Sequence, residues 1–230
     1  MDLILVRHAQ PSWVVEDRGV NDPELSELGR LQAERLASGW PSGLAPDRLW
    51  VSSARRSRAT AAPLASRFGI EPEVHEALIE VKLPDRFDGA PAREVGKVLL
   101  SARHREPEAW WTGLDGGEAY RDFHARVTQA LDGLLATAGV EKLASEEADP
   151  RWRAPDGLDL TIVLVGHGGT NAALTGHLLA YPPRPWIWET LLTEHTGVTH
   201  LRLRRLMGAH VFALKSQSDV AHLSDKERSH

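Results

Sequence analysis

Two short runs constrain this chain more than anything else in it. Leu3-Ile4-Leu5-Val6 and Leu160-Thr161-Ile162-Val163-Leu164-Val165 are almost wholly apolar and rich in β-branched residues, so both read as buried strands. Each runs into a histidine: Arg7-His8-Ala9-Gln10 follows the first, and Gly166-His167-Gly168-Gly169-Thr170-Asn171 the second. In an open α/β sheet, ligands bind at the carboxyl ends of the strands. A histidine held there can serve as nucleophile, base or metal ligand. The planar fork of Arg7 beside it matches phosphate or carboxylate.

A third strand, Arg48-Leu49-Trp50-Val51, enters a helix through Ser52 and Ser53, which are placed to cap it. Arg55, Arg56 and Arg58 open that helix. Cations in a first turn oppose the helix dipole, and an anionic ligand would offset them. A parallel sheet brings neighbouring strand ends together, so His8, His167, Arg7 and an arginine near Arg56 are expected in one pocket.

The remaining pattern fills in one domain over residues 1–215. Ser26 to Ser38 reads as a helix capped by Ser26 and ended by Gly39, with Leu28, Leu31, Ala33, Leu36 and Ala37 on its apolar stripe. Pro11 to Asp22 reads as a loop, with Trp13 a candidate substrate wall. Val74 to Val81 is weakly strand-like and carries Glu76 and Glu80. Residues 84–138 read as a helical insertion: a helix at 93–103, a loop with Trp110-Trp111, and a longer helix from Glu118 to Ala138. Residues 139–159 read as a surface excursion. An apolar helix is expected from Ala172 to Leu179, a strand from Val198 to Leu206, and a partner for it at Val211–Leu214. Residues 216–230 read as a polar, partly disordered tail.

Composition removes several function classes. The chain has 230 residues, 42% of them hydrophobic, enough for one large α/β domain. It has no cysteine, which excludes disulfides, thiolate catalysis and cysteine zinc sites. A net charge of −5 argues against general nucleic-acid binding, so an anion site must be a local pocket. No run approaches a membrane span and the N-terminus enters a strand at once, so no membrane partner is expected and the cytoplasm is the default location.

In order along the chain, Arg7-His8-Ala9, Asp22-Pro23-Glu24-Leu25-Ser26 with Gly29, Val51-Ser52-Ser53 with Arg56 and Thr60, Leu78-Ile79-Glu80, Gly116-Gly117-Glu118, Gly166-His167-Gly168-Gly169, Thr196-Gly197-Val198-Thr199 and His222-Leu223 resemble the histidine phosphatase superfamily, which includes the cofactor-dependent phosphoglycerate mutases. Each motif is short; their joint order, over nearly the whole chain, is specific. The resemblance implies a phosphoglycerate mutase-like, three-layer αβα sandwich on a mostly parallel sheet. It also implies a metal-independent phosphomonoester hydrolase with no cofactor. His8 would attack phosphorus to give a phosphohistidine. Arg7, Arg56 and His167 would bind the phosphoryl oxygens, and Glu80, rather than Glu76, would protonate the leaving oxygen and then activate water. Gln10, Trp13 and Gly168 are the expected substrate contacts, and the partner is a small phosphorylated metabolite. Oligomeric state is open, a homodimer being one option.

The chain departs from the family pattern at Ala9, Gln10, Pro11 and Val14, and in Glu80-Val81-Lys82-Leu83-Pro84 where mutases share a glutamate-arginine-x-tyrosine-glycine run. These changes spare the phosphoryl-binding set and fall on mutase substrate contacts. A mutase is therefore the alternative reading. A non-catalytic phospho-ligand module ranks lower, because both histidines, both arginines and Glu80 are retained. A metal hydrolase ranks lower again, because the arginines would repel a cation. The Gly166–Gly169 run lacks the spacing of a dinucleotide loop and the lysine of a phosphate loop.

Overall fold

The computed structural model describes residues 1–144 and 150–230. Its ten strands are β1 (Asp2–Arg7), β2 (Val14–Val15), β3 (Arg18–Gly19), β4 (Arg48–Ser52), β5 (Glu73–His75), β6 (Glu141–Lys142), β7 (Trp152–Arg153), β8 (Thr161–Gly166), β9 (Val198–Leu206) and β10 (Ala209–Asp219). The helices are α1 (Glu27–Ser38), α2 (Arg55–Phe68), α3 (Ala92–Ala102), α4 (Pro107–Trp111), α5 (Tyr120–Thr137), α6 (Gly168–Leu178) and α7 (Ile187–Thr190).

Eight strands form one sheet in the order β5-β4-β8-β1-β9-β10-β7-β6. The half that carries the two histidines is parallel: β1 pairs with β8, β8 with β4, and β4 with β5. Beyond β1 the pairings are antiparallel. β1 is central and buried on both faces, which is why it reads as an unbroken apolar run. Its side chains alternate between the two cores. Leu3 and Leu5 pack beneath α5 and α6 with Phe123, Leu131 and Leu174, while Ile4 and Val6 pack beneath α1 and α2 with Leu36, Ala61 and Leu64. The result is the expected three-layer α/β sandwich. Each fully buried aliphatic side chain of β1 contributes roughly 1.5–3 kcal/mol of burial free energy.

Several expectations need correcting. α5 does not belong to an insertion. Its stripe of Phe123, Val127, Leu131 and Leu135 is fully buried in the main core, so α5 is a layer of the fold. Trp110 and Trp111 lie in α4 rather than in a loop. The Val74–Val81 stretch is a three-residue strand followed by a 3₁₀ turn over Glu76–Leu78. The Pro11–Asp22 loop contains the small β2–β3 hairpin. In the stretch 139–159, β6 and β7 extend the sheet and bury Trp152; residues 145–149 of it lie outside those described.

The tail is also ordered. β10 runs to Asp219, and Val220 and Leu223 are buried. Gln32 of α1 donates from Nε2 to the Glu227 carbonyl at 2.7 Å and to Ser229 Oγ at 2.9 Å. Polar composition misled here because the tail is held by scattered buried side chains and by hydrogen bonds to distant residues, Gln32, His195 and Thr196 among them, rather than by an apolar stripe of its own.

Candidate active site

β1 and β8 run in register with Arg7 opposite Gly166, so their ends deliver His8 and His167 side by side. The ring centroids stand 5.1 Å apart, edge to face, and both rings are buried. The backbone past β1 is pinned. The Ala9 N–H donates to Thr60 Oγ1 at 2.9 Å, and Thr60 in turn donates to the Arg56 carbonyl at 2.7 Å. On the other side α1 abuts the same loop: a Cβ on Gly29 would fall 2.0 Å from the Gln10 carbonyl oxygen, which only glycine avoids.

The proton positions on the two histidines follow from their partners. Nδ1 of His8 lies 2.8 Å from the Ala9 carbonyl, which can only accept, so Nδ1 carries the proton and Nε2 the lone pair. Burial is the largest cause holding the His8 pKa well below the ordinary histidine value, and repulsion by His167, Arg56 and Arg7 adds to it. For His167, Arg56 Nη2 stands 3.1 Å from Nδ1 and Ser52 Oγ 2.7 Å from Nε2. Burial and the two nearby arginines also hold this ring neutral.

Arg56 is buried under the indole of Trp13, with its guanidinium carbon 4.8 Å from that ring. Asp22 lies 3.5 Å from Arg56 Nη1, and it accepts the Arg55 N–H at 3.0 Å. Asp22 therefore caps α2, in place of the expected serines: the N-cap residue is Ala54 and makes no side-chain bond. Ser52 faces His167 instead. Asp22 also supplies part of the negative charge that the arginine-rich helix start called for.

Glu80 comes from the loop after the 3₁₀ turn. Its Oε2 accepts the Gly169 N–H at 2.8 Å and its Oε1 the Val81 N–H at 3.0 Å. This places a carboxylate at the N-terminus of α6, where the helix dipole favours it. A Cβ on Gly169 would lie 2.6 Å from Glu80 Oε1, so the close approach requires glycine. The rival, Glu76, is not among the cavity-lining residues.

These groups line one cavity of about 960 Å³: Arg7, His8, Arg56 and Glu80, with Trp13 and Gly168 on its wall. His167 backs onto it through His8 and Arg56. The Nε atoms of Arg7 and Arg56 are buried there without partners. Gln10 is not brought to this site. Its side-chain oxygen accepts from Ser26 Oγ at 2.8 Å, at the start of α1.

Sequence reading missed His195. Its Nε2 stands 3.3 Å from Arg7 Nη2, and Arg7 Nη1 donates to the Thr193 carbonyl. His195 Nδ1 lies 2.9 Å from Ser229 Oγ, and burial followed by repulsion from Arg7 lowers its pKa to about 3. The only sequence signal was its place just before Thr196-Gly197-Val198-Thr199. The histidine does not end an apolar run, so nothing marked it.

Two buried neutral histidines, two arginines with unpartnered Nε donors and a carboxylate at a helix start are thus gathered at one cavity of an α/β scaffold. The chain belongs to the histidine phosphatase superfamily (branch 1), whose family model matches residues 3–211. It is 35% identical over 189 residues to a glucosyl-3-phosphoglycerate phosphatase of Mycobacterium tuberculosis, covering 80% of this chain and 78% of that one. It is 34% identical over 114 residues to the 5''-phosphoribostamycin phosphatase of Niallia circulans, covering 46% of this chain and 54% of that one. The structure of a mycobacterial glucosyl-3-phosphoglycerate phosphatase with inorganic phosphate superposes with a TM-score of 0.70 at 29% identity, covering 97% of this chain and 99% of that one. Among the described residues no helix is long and apolar enough to cross a membrane.

Proposed function

We propose that this protein hydrolyses a small phosphorylated metabolite through a phosphohistidine at His8. The observation that carries the reading is the state of His8 itself. It is buried and neutral, its Nδ1 proton is spent on the Ala9 carbonyl, and its Nε2 lone pair is left for phosphorus.

Arg7 and Arg56 hold the phosphoryl oxygens through donors that have no other partner. Their charge is worth most where it builds up in the transition state. His167 accepts from Arg56 on Nδ1 and faces Ser52 with Nε2, so it stays neutral and holds Arg56 in place for the phosphoryl group. Nε2 of His8 then bonds to phosphorus as the bond to the leaving oxygen breaks, and Glu80 gives that oxygen its proton. In the second half Glu80 takes a proton from water, the water oxygen bonds to phosphorus, and the N–P bond breaks to return His8 and phosphate.

Phosphate release from a panel of phosphomonoesters, measured with and without a chelator, tests the reading. Release unaffected by chelation is expected. Activity lost on chelation and restored by zinc or magnesium would contradict it. The mutase alternative predicts isomerisation of 2- and 3-phosphoglycerate with little free phosphate when the bisphosphate primer is present. Hydrolysis is favoured because Pro11 and Val14 put apolar side chains at two positions beside His8 where mutase-like polar substrate contacts are expected.

A further inference from the structure

Beyond the phosphoryl pocket, the cavity continues along Glu189, Glu194, Gln217 and Ser218, with Trp188 and Trp13 presenting aromatic surface. Two atoms on this wall stand out. Glu194 Oε2 and Gln217 Oε1 are both buried, and neither has a hydrogen-bond partner. Buried acceptors in folded proteins are almost always paired, because leaving one unpaired forfeits its hydration. Gln217 donates one amide N–H to the Leu192 carbonyl at 3.3 Å. The Glu194 N–H donates to Ser218 Oγ at 2.8 Å, and its carbonyl accepts from Gly197 at 2.9 Å. Glu194 has no ion pair among the described residues.

The backbone here is bent toward the cavity. β10 slips register against β9 on either side of Ser216, and Ser218 adopts a left-handed conformation at φ 50°. A serine in that region is disfavoured by roughly 1–2 kcal/mol, and such strain concentrates at ligand sites.

Charge completes the argument. The arginines lining the cavity are Arg7 and Arg56 beside His8, and Arg103; His230 also lines it. Arg103 is already bound by both oxygens of Glu189, at 2.5 and 2.6 Å. A second anionic group on the substrate would therefore meet Glu194, a carboxylate with no arginine or lysine paired to it among the described residues. Hydroxyl or ammonium donors would satisfy Glu194 and Gln217, and the indoles offer flat faces to a ring's C–H groups.

We infer that this wall is a leaving-group subsite for a polyhydroxylated ring, a sugar or amino sugar, and that Glu194 and Gln217 select it over phosphorylated carboxylic acids. The inference rests on the phosphatase reading above.

The test compares kcat/KM for glucose 6-phosphate, glucosamine 6-phosphate, 3-phosphoglycerate and p-nitrophenyl phosphate, in the wild type and in Glu194→Gln and Gln217→Leu. Both sugar phosphates should exceed 3-phosphoglycerate by about tenfold or more, since a site built for donors rejects a ligand that lacks them. Glucosamine 6-phosphate exceeding glucose 6-phosphate would identify the ammonium as the preferred donor; the reverse order would identify hydroxyls. Glu194→Gln should narrow the gap to 3-phosphoglycerate, and both variants should lose more on the sugars than on the aryl ester. Equal or better turnover of 3-phosphoglycerate by the wild type would overturn the subsite. So would a uniform loss across all four substrates in both variants. Failure to release phosphate from any of the four, the activated aryl ester included, would overturn the phosphatase reading itself and the subsite with it.

Discussion

Arg56 donates to Nδ1 of His167 at 3.1 Å. A guanidinium has no lone pair to offer, so this one contact fixes the His167 proton on Nε2. The only close partner for that proton is the buried hydroxyl of Ser52, 2.7 Å away; Ser57 Oγ is at 3.4 Å. The orientation of the second histidine is therefore set from behind, by a serine at the end of β4.

Ser52→Ala should cost about 1–3 kcal/mol of stability, the penalty for a buried donor left unpaired. It should also lower kcat/KM more than kcat on an activated ester, because on the proposed reading His167 holds Arg56, which engages the phosphoryl group from binding onward. Chemical denaturation and steady-state kinetics check both. Ser52→Thr, which keeps the hydroxyl, should recover most of the loss; equal damage from both variants would assign the effect to packing.

The neutral histidines give stability a defined pH dependence. Burial is the first cause of the lowered pKa at His8, His167 and His195, and His195 titrates near 3 when folded. Unfolded, each binds a proton near pH 6.5. Between those values the unfolded chain holds more protons than the folded one, so stability rises with pH. Going from pH 7 to pH 5 should cost about 2 kcal/mol for each of these histidines that stays neutral in the fold. Denaturant midpoints across that range measure it, and a flat profile would show that these rings are charged in the native state.

Glu80→Gln removes a proton donor at nearly the same size, and keeps an acceptor for one of the two backbone N–H groups of Gly169 and Val81. The loss should be large, about 10²–10⁴-fold, on alkyl phosphates whose leaving oxygen must be protonated. It should be far smaller on p-nitrophenyl phosphate. Equal losses on the two, or a larger loss for Glu76→Gln, would remove Glu80 from the role.

Ser229 holds His195 twice, accepting the His195 N–H on its carbonyl at 3.1 Å and bonding Nδ1 through Oγ at 2.9 Å. His195 in turn meets Arg7. Ser229→Ala should therefore raise KM several-fold with less effect on kcat, since it loosens the arginine that the proposed mechanism places on the phosphoryl group. An unchanged KM would show that Arg7 is held well enough by the Thr193 carbonyl.

The legible part of this protein is the part written in local pattern. His8 and His167 announce themselves because each ends an apolar run that can only be a central strand, and parallel neighbours must bring such ends together. Arg56 was legible as a cation misplaced at a helix start. Glu80 depended on resemblance, since nothing in a loop of mixed composition marks one carboxylate over another. His195, Ser229 and Gln32 form their network across 34 to 197 residues of sequence, through single hydrogen bonds that leave no periodic trace. The same reason explains the misplaced tail and the misjudged Gln10. The Glu118–Ala138 helix was placed correctly along the chain, but periodicity says that a helix has an apolar face, not which core receives it.

The central claim is a covalent bond between phosphorus and Nε2 of His8. Rapid acid-free quenching of the enzyme during turnover of a ³²P-labelled phosphomonoester measures it directly. The account predicts a label that is stable to base, lost in mild acid, mapped to the peptide containing His8, and absent in His8→Ala together with turnover. A His8→Ala enzyme that keeps near-normal turnover, or a label found on another residue, would contradict it.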